Sequence, residues 1–264
     1  MGAILLALAI LLAVIVVGLL AFTASVTGTI RKRMTPRGRF VDTAAGRLHV
    51  VETGEGPPVV MIHGLAGNLA NFGYALFEPL KGEFRLIAFD RPGSGHSPRE
   101  EGRAVTLEGH AAAAAALIEA LGLDRPLVVG HSMGGAIALT LARTRPDLVG
   151  GLVLLAPATT PQAHLPDVFW KLGFRSPLLR RLFARTLNVP LSILQSRKTM
   201  ATIFGPDPAP ADFAVRGGGL LGLLPETYLS ACEDLRCMEA GLPAVAAHLP
   251  EAPRPLTVVY GTED

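Results

Sequence analysis

Long apolar, short apolar and mixed stretches follow one another along this chain and predict different elements. Gly2 to Ala24 is almost unbroken Ala, Ile, Leu and Val. Roughly 20 such residues suffice for a helix to cross the hydrocarbon of a bilayer, so this stretch predicts an uncleaved membrane anchor. Its rivals are a buried core helix and a cleaved signal peptide. The latter calls for a basic leader ahead of a shorter apolar segment. Arg39 to Asp42 and Arg47 to Glu52 then read as two short strands joined by a turn through Ala45-Gly46. Pro58 to Ile62, Phe84 to Phe89, Pro126 to Val129, Gly151 to Leu155 and Leu256 to Tyr260 are continuous apolar runs, as expected of parallel strands covered on both faces. Between them lie helical patterns over Thr106 to Leu121 and Ala136 to Arg145. The alternation predicts an α/β fold, a mostly parallel sheet with helices on both faces.

From about Ala158 to Pro250 the rhythm changes. Strand-type runs vanish, and Phe169, Trp170, Phe174, Leu178 and Phe183 are set among Lys171, Arg175, Arg180, Arg181 and Arg185. This predicts a helical insertion covering the strand ends. Its cationic side reads as a solvated outer face, with an anionic membrane surface as the alternative. Gly217-x-Gly219-x-x-Gly222 has the letters of a dinucleotide fingerprint but no buried strand before it, and reads as a flexible connection. The predicted organisation is a membrane anchor over 1–30, a basic linker over 31–38, a first core segment over 39–157, the helical cap over 158–250 and a returning core segment over 251–264.

Charge adds a localised feature. The formal net charge of +2 conceals five cations, Arg31, Lys32, Arg33, Arg37 and Arg39, directly after the apolar span, leaving 19 basic against 22 acidic side chains in residues 40–264. The cluster argues for a cytoplasmic location of the residues that follow by the positive-inside rule and against a nucleic-acid surface. Cys232 and Cys237, five apart on a predicted helix, face different directions and do not suggest a disulfide. Spacings for a zinc site or a phosphate-binding loop are missing, so neither metal nor organic cofactor is expected.

The candidate chemistry lies at the carboxyl ends of the strands, where ligands bind in open α/β sheets. Gly130-His131-Ser132-Met133-Gly134 follows a strand and precedes a helix, the context in which Gly-x-Ser-x-Gly forms a sharp turn that projects a serine hydroxyl. Gly130 and Gly134 avoid the crowding a Cβ would cause there. His63-Gly64-Leu65-Ala66-Gly67-Asn68 and Asp90-Arg91-Pro92-Gly93-Ser94-Gly95-His96-Ser97 are two further loops at strand ends.

Together with the strand that runs into Gly261-Thr262-Glu263-Asp264, these motifs resemble the α/β-hydrolase superfamily over roughly residues 39 to 264, in the form with a helical cap. The resemblance implies Ser132 as nucleophile, the backbone N–H groups of Leu65 and Met133 as an oxyanion hole, and Asp264 as the acid that orients a histidine. Gly64, His63, Asp90 and His131 are implied as supporting residues. The family's histidine follows the acid, and none of the seven histidines present occupies that place. His63 and His131 read as structural, His96 as turn-stabilising, and His49, His110, His164 and His248 as surface or packing residues. The expectation is therefore a truncated serine hydrolase, nearly inactive as it stands, acting on an apolar small-molecule ester or related acyl bond. Serine at the elbow argues against haloalkane dehalogenases and epoxide hydrolases, whose nucleophile is aspartate. A carbon–carbon bond hydrolase of the same family and a membrane-tethered, non-catalytic binding module are the alternatives.

Overall fold

The computed structural model describes all residues except 101, 103–104, 162–166, 253–254 and 263–264. It contains a seven-stranded sheet in the order β1-β2-β4-β3-β5-β6-β7. The strands are β1 Arg39–Thr43, β2 Gly46–Thr53, β3 Pro58–Ile62, β4 Arg85–Phe89, β5 Leu127–His131, β6 Gly151–Leu155 and β7 Leu256–Val259. β1 and β2 form an antiparallel hairpin with Arg39 opposite Val50, and β2 runs antiparallel to β4. All other pairings are parallel.

The helices in chain order are α1 Gly2–Arg33, α2 Ala70–Ala75, α3 Phe77–Leu80, α4 Leu107–Ala120 and α5 Met133–Thr144, followed by α6 Pro177–Arg185, α7 Asn188–Leu194, α8 Ser196–Phe204, α9 Phe213–Arg216 and α10 Pro225–His248. α4 starts where the Thr106 hydroxyl accepts from the Gly109 amide, satisfying one of the donors a helix leaves free at its first turn. α5 begins at Met133, three residues before the pattern predicted, because the turn at Ser132 feeds directly into it.

The continuous apolar strand runs are explained by burial on both sides. Successive residues of a strand point to opposite faces. Val60 and Ile62 enter the larger core with Ile87, Phe89, Leu117, Ile118, Val128 and Ile137, whereas Val59 and Met61 enter a second core with Leu86, Ala88, Phe72 and Phe77. Each such side chain contributes about 1.5–3 kcal/mol on leaving water. β7 lies at the sheet's edge, with Val258 and Val259 half exposed.

The predicted insertion has no strand among its described residues, and its regular elements are all helical, from a 3-10 segment Asp167–Gly173 to α10. α1 continues as helix through Arg33, so the first cations of the expected linker belong to it. Its residues up to Phe22 are almost all exposed, and it is long and apolar enough to cross a membrane. Beyond them Thr23, Thr27 and Ile30, one helical stripe, are buried against the insertion. The Thr23 hydroxyl donates to the Thr186 carbonyl at 3.2 Å, and Ile30 packs with Leu221 and Leu224.

Candidate active site

Ser132 connects β5 to α5 with φ 52° and ψ −119°, a backbone conformation that costs an L-residue on the order of 1–3 kcal/mol. Three hydrogen bonds hold it there. Its N–H donates to the Leu155 carbonyl at 3.0 Å, and its own carbonyl accepts from Gly135 at 2.9 Å and from Ala158 at 3.0 Å. The hydroxyl, by contrast, has no hydrogen-bond partner among the described residues, and the residue is half-buried. A Cβ on Gly130 would meet the Gly134 carbonyl, and one on Gly134 would meet the Ile62 carbonyl, so the sharp turn requires both glycines.

The loop after β3 comes up against this turn. A Cβ on Gly64 would lie 3.1 Å from the Ser132 Cβ and 3.1 Å from the His131 Nδ1. The following Leu65 amide donates no hydrogen bond among the described residues. Met133 is the first residue of α5 and its N–H has no preceding helical turn to donate to. Two free amides thus flank the Ser132 turn, one of them at the positive end of the α5 dipole.

His63 supports this loop rather than offering a base. It is buried, and its Nε2 accepts from the Arg91 backbone N–H at 3.0 Å, leaving Nδ1 as the protonated nitrogen facing the Gly64 carbonyl. Burial and the neighbouring Arg91 charge push its pKa down to about 3. The lone pair that would have to take a proton is already engaged.

Arg91, to which the sequence assigns no role, organises the loop. It is fully buried. Its Nε donates to the His63 carbonyl and its Nη2 to the Gly64 carbonyl, both at 3.1 Å. Its Nη1 donates to Asp234 Oδ2 on α10 at 2.7 Å. Asp234 also accepts from Arg99 at 2.6 Å and lies 3.2 Å from the His110 Nε2. Burial would raise the Asp234 carboxyl, but Arg91, His110 and Arg99 outweigh it and hold the pKa well below the usual carboxylate range. Burial and Arg91 lower that of His110. An unbroken chain of contacts therefore runs from the insertion through Arg91 to the residues beside Ser132. Its only sequence signal was a charged residue at a strand end; Asp234 on a mixed helix gave none.

Asp90 does the same for the second loop. Its Oδ1 accepts from the Leu69 amide at 2.8 Å; its Oδ2 accepts from the His96 amide at 2.8 Å and from His49 Nδ1 at 2.7 Å. The other His49 nitrogen faces the Arg37 carbonyl. Burial alone would lower the pKa of His49, yet the hydrogen bond and charge of Asp90 raise it. An acceptor faces each ring nitrogen, an arrangement that favours the protonated form of His49. His49 and His110 are thus buried, in line with the packing alternative, and both belong to hydrogen-bonded networks with charged partners. His96 contributes its backbone to Asp90 as expected of a turn residue, and burial lowers its ring pKa. His131 and His248 are exposed.

The Gly217 segment is also more than a flexible connection. The Asn71 and Asn68 side-chain amides donate to the carbonyls of Gly217 and Gly218 at 2.8 and 3.1 Å, tying the insertion to the loop after β3. Asp264 and His164 lie outside the described residues. Among the described residues no histidine is hydrogen-bonded to Ser132, and no group of His, Cys, Asp and Glu is arranged to hold a metal. Cys232 and Cys237 are both free and buried.

Residues 57–229 match the family model for the α/β hydrolase fold. The chain is 37% identical over 117 residues to haloalkane dehalogenase 2 of Mycobacterium tuberculosis, covering 44% of this chain and 40% of that protein. It is 34% identical over 123 residues to a 2-hydroxy-6-oxo-6-phenylhexa-2,4-dienoate hydrolase of Comamonas testosteroni, covering 44% and 42%. The match spans about two fifths of the length of these curated relatives. Among solved structures, an alpha/beta hydrolase fold protein from Burkholderia ambifaria superposes with a TM-score of 0.64 at 19% identity, covering 86% of this chain and 81% of that one. Sequence match, sheet order and the strained serine turn agree: the chain belongs to the α/β-hydrolase fold family.

Proposed function

We propose that this protein is a serine hydrolase that cleaves a carboxylic ester or related acyl bond. The observation that carries the reading is Ser132, held at φ 52° with a hydroxyl that has no partner among the described residues and with Gly64 pressed against it. Ser132 Oγ attacks the acyl carbonyl, and the carbonyl oxygen, now negative, accepts from the Leu65 and Met133 amides. Such a donor typically contributes a factor of about 10²–10³ in rate. A base takes the hydroxyl proton and passes it to the departing alcohol, and water then releases the acid from Ser132. By the family resemblance that base is a histidine oriented by Asp264. Among the described residues no histidine is hydrogen-bonded to Ser132.

Added imidazole is the corresponding test. In the presence of imidazole, Ser132 should be acylated by a fluorophosphonate or a p-nitrophenyl ester, seen as a mass shift on its peptide, and Ser132→Ala should abolish the adduct. Modification at another residue, or an undiminished rate in Ser132→Ala, would refute the assignment.

A carbon–carbon bond hydrolase is the second reading. The 34% identity to the Comamonas enzyme favours it. Turnover of a ring-cleavage dienoate by the same serine, with no turnover of a p-nitrophenyl ester series, would select it. The dehalogenase likeness is weaker support for activity, because a serine hydroxyl stands here at the nucleophile turn.

We also infer that α1 anchors the protein in a membrane with the catalytic portion on the cytoplasmic side, supported by its exposed apolar length and the cations that follow. Resistance to alkaline extraction tests the anchor. Digestion of the catalytic portion by protease added outside spheroplasts would reverse the side.

A further inference from the structure

The exposed apolar part of α1 ends where the insertion begins to cover it. Residues 2–22, at about 1.5 Å each, are about 31 Å long, which matches the hydrocarbon thickness of a bilayer. The next residue, Thr23, is buried and bonded to the Thr186 carbonyl at the C-terminal end of α6. With α1 crossing a membrane, the reading on which this inference rests, the hydrocarbon boundary falls beside α6 and α7.

The surface turned outward there is both apolar and cationic. On α6, Leu178, Arg181, Leu182 and Arg185 recur at the spacing of one helical face, and all four are exposed. Leu178 is 76% exposed and, on α7, Leu194 is 79% exposed. Residues 168–206 contain seven Lys and Arg side chains, of which Arg175, Arg181, Arg185, Arg197 and Lys198 are exposed, and no Asp or Glu. Water favours the cations of such a face and disfavours the leucines. An anionic bilayer surface accommodates both, taking leucines into the boundary between headgroups and acyl chains while guanidinium groups meet phosphates. We propose that the outer face of α6, α7 and α8 docks on anionic phospholipid headgroups of the leaflet that α1 enters. The insertion is then held against the membrane at two places, the α1 stripe and this face.

The test uses the full chain in nanodiscs, with an environment-sensitive fluorophore on Leu178→Cys, on Leu194→Cys, or on Asp124→Cys at the opposite rim of the sheet. Cys232 and Cys237 are buried, and burial pushes the Cys237 thiol up to about 12, so neither competes for label. Lipids carrying a quencher near the headgroup should darken positions 178 and 194 about two-fold or more in discs containing phosphatidylglycerol, leaving 124 bright. The effect should weaken in neutral phosphatidylcholine discs and in the Arg181→Glu, Arg185→Glu double variant. Equal brightness at all three positions, equal quenching in neutral discs, or quenching that arises only between labelled copies would each overturn the proposal. Alkaline extraction of the same preparation separates the two readings. Retention with unquenched labels overturns the docking face alone, and release overturns both.

Discussion

Asp90 and Arg91 are neighbours in sequence, yet the pKa values of the two histidines they touch shift in opposite directions. Asp90 reaches toward the β1–β2 hairpin and raises that of His49; Arg91 reaches toward α10 and, together with burial, lowers that of His63. Both residues are buried at the end of β4, so exposure does not distinguish them. What differs is the charge each presents and what the far ring nitrogen meets. His49 has acceptors at both nitrogens. The Nε2 of His63 faces a backbone N–H, which only a neutral ring can accept. A buried histidine near the Ser132 turn is therefore no base by virtue of position; its second hydrogen bond decides.

The largest effect should come from breaking the Arg91 side. Asp234→Ala leaves a guanidinium buried without its partner and should cost about 3–5 kcal/mol, read as a lowered midpoint in urea unfolding of the detergent-solubilised chain. Replacing both residues with apolar ones, Arg91→Met with Asp234→Leu, should recover much of that loss. A double variant as unstable as the single one would show that the bonds to the His63 and Gly64 carbonyls dominate.

The two histidines should also give opposite pH dependences. His63, with its pKa lowered to about 3, contributes stability that is present above about 6.5 and lost as pH falls. The unfolding free energy should fall by about 1.4 kcal/mol per pH unit from this group. His49, with its pKa raised, contributes stability that is full below about 6.5 and lost as pH rises through its folded value. His49→Gln should remove that alkaline loss while the acid limb stays unchanged. An unaltered alkaline limb would mean that His49 is not the charged partner of Asp90.

A smaller effect is expected of Asp90→Asn. One amide oxygen cannot serve the Leu69 and His96 amides at once, and His49 loses its counter-charge, so about 1–3 kcal/mol should be lost in the same measurement. The smallest belongs to a pair that imitates the buried ones at the surface. Arg31 and Glu226 lie 2.9 Å apart but are more than half exposed, and Arg31→Gln should change stability by no more than about 0.5 kcal/mol.

Much of this molecule was legible because its signals are local. A strand buried on both faces must be apolar at every position, so β3, β4, β5 and β6 stood out, and a serine turn that admits no Cβ at either side had to be written Gly130 and Gly134. The apolar length of α1 was equally plain. Those features fix the α/β class and place Ser132, Gly64 and Asp90 at one rim of the sheet. The sequence could not show that Arg91 and Asp234 meet, since they lie far apart along the chain and ion pairing has no periodicity to betray it. Nor could it set the protonation of His49 and His63, or show that a stripe of Thr23, Thr27 and Ile30 docks α1 onto the insertion. Propensity and hydrophobic pattern act between residues a few positions apart. Burial of charge and the choice of hydrogen-bond partner are settled only when distant segments are brought into contact.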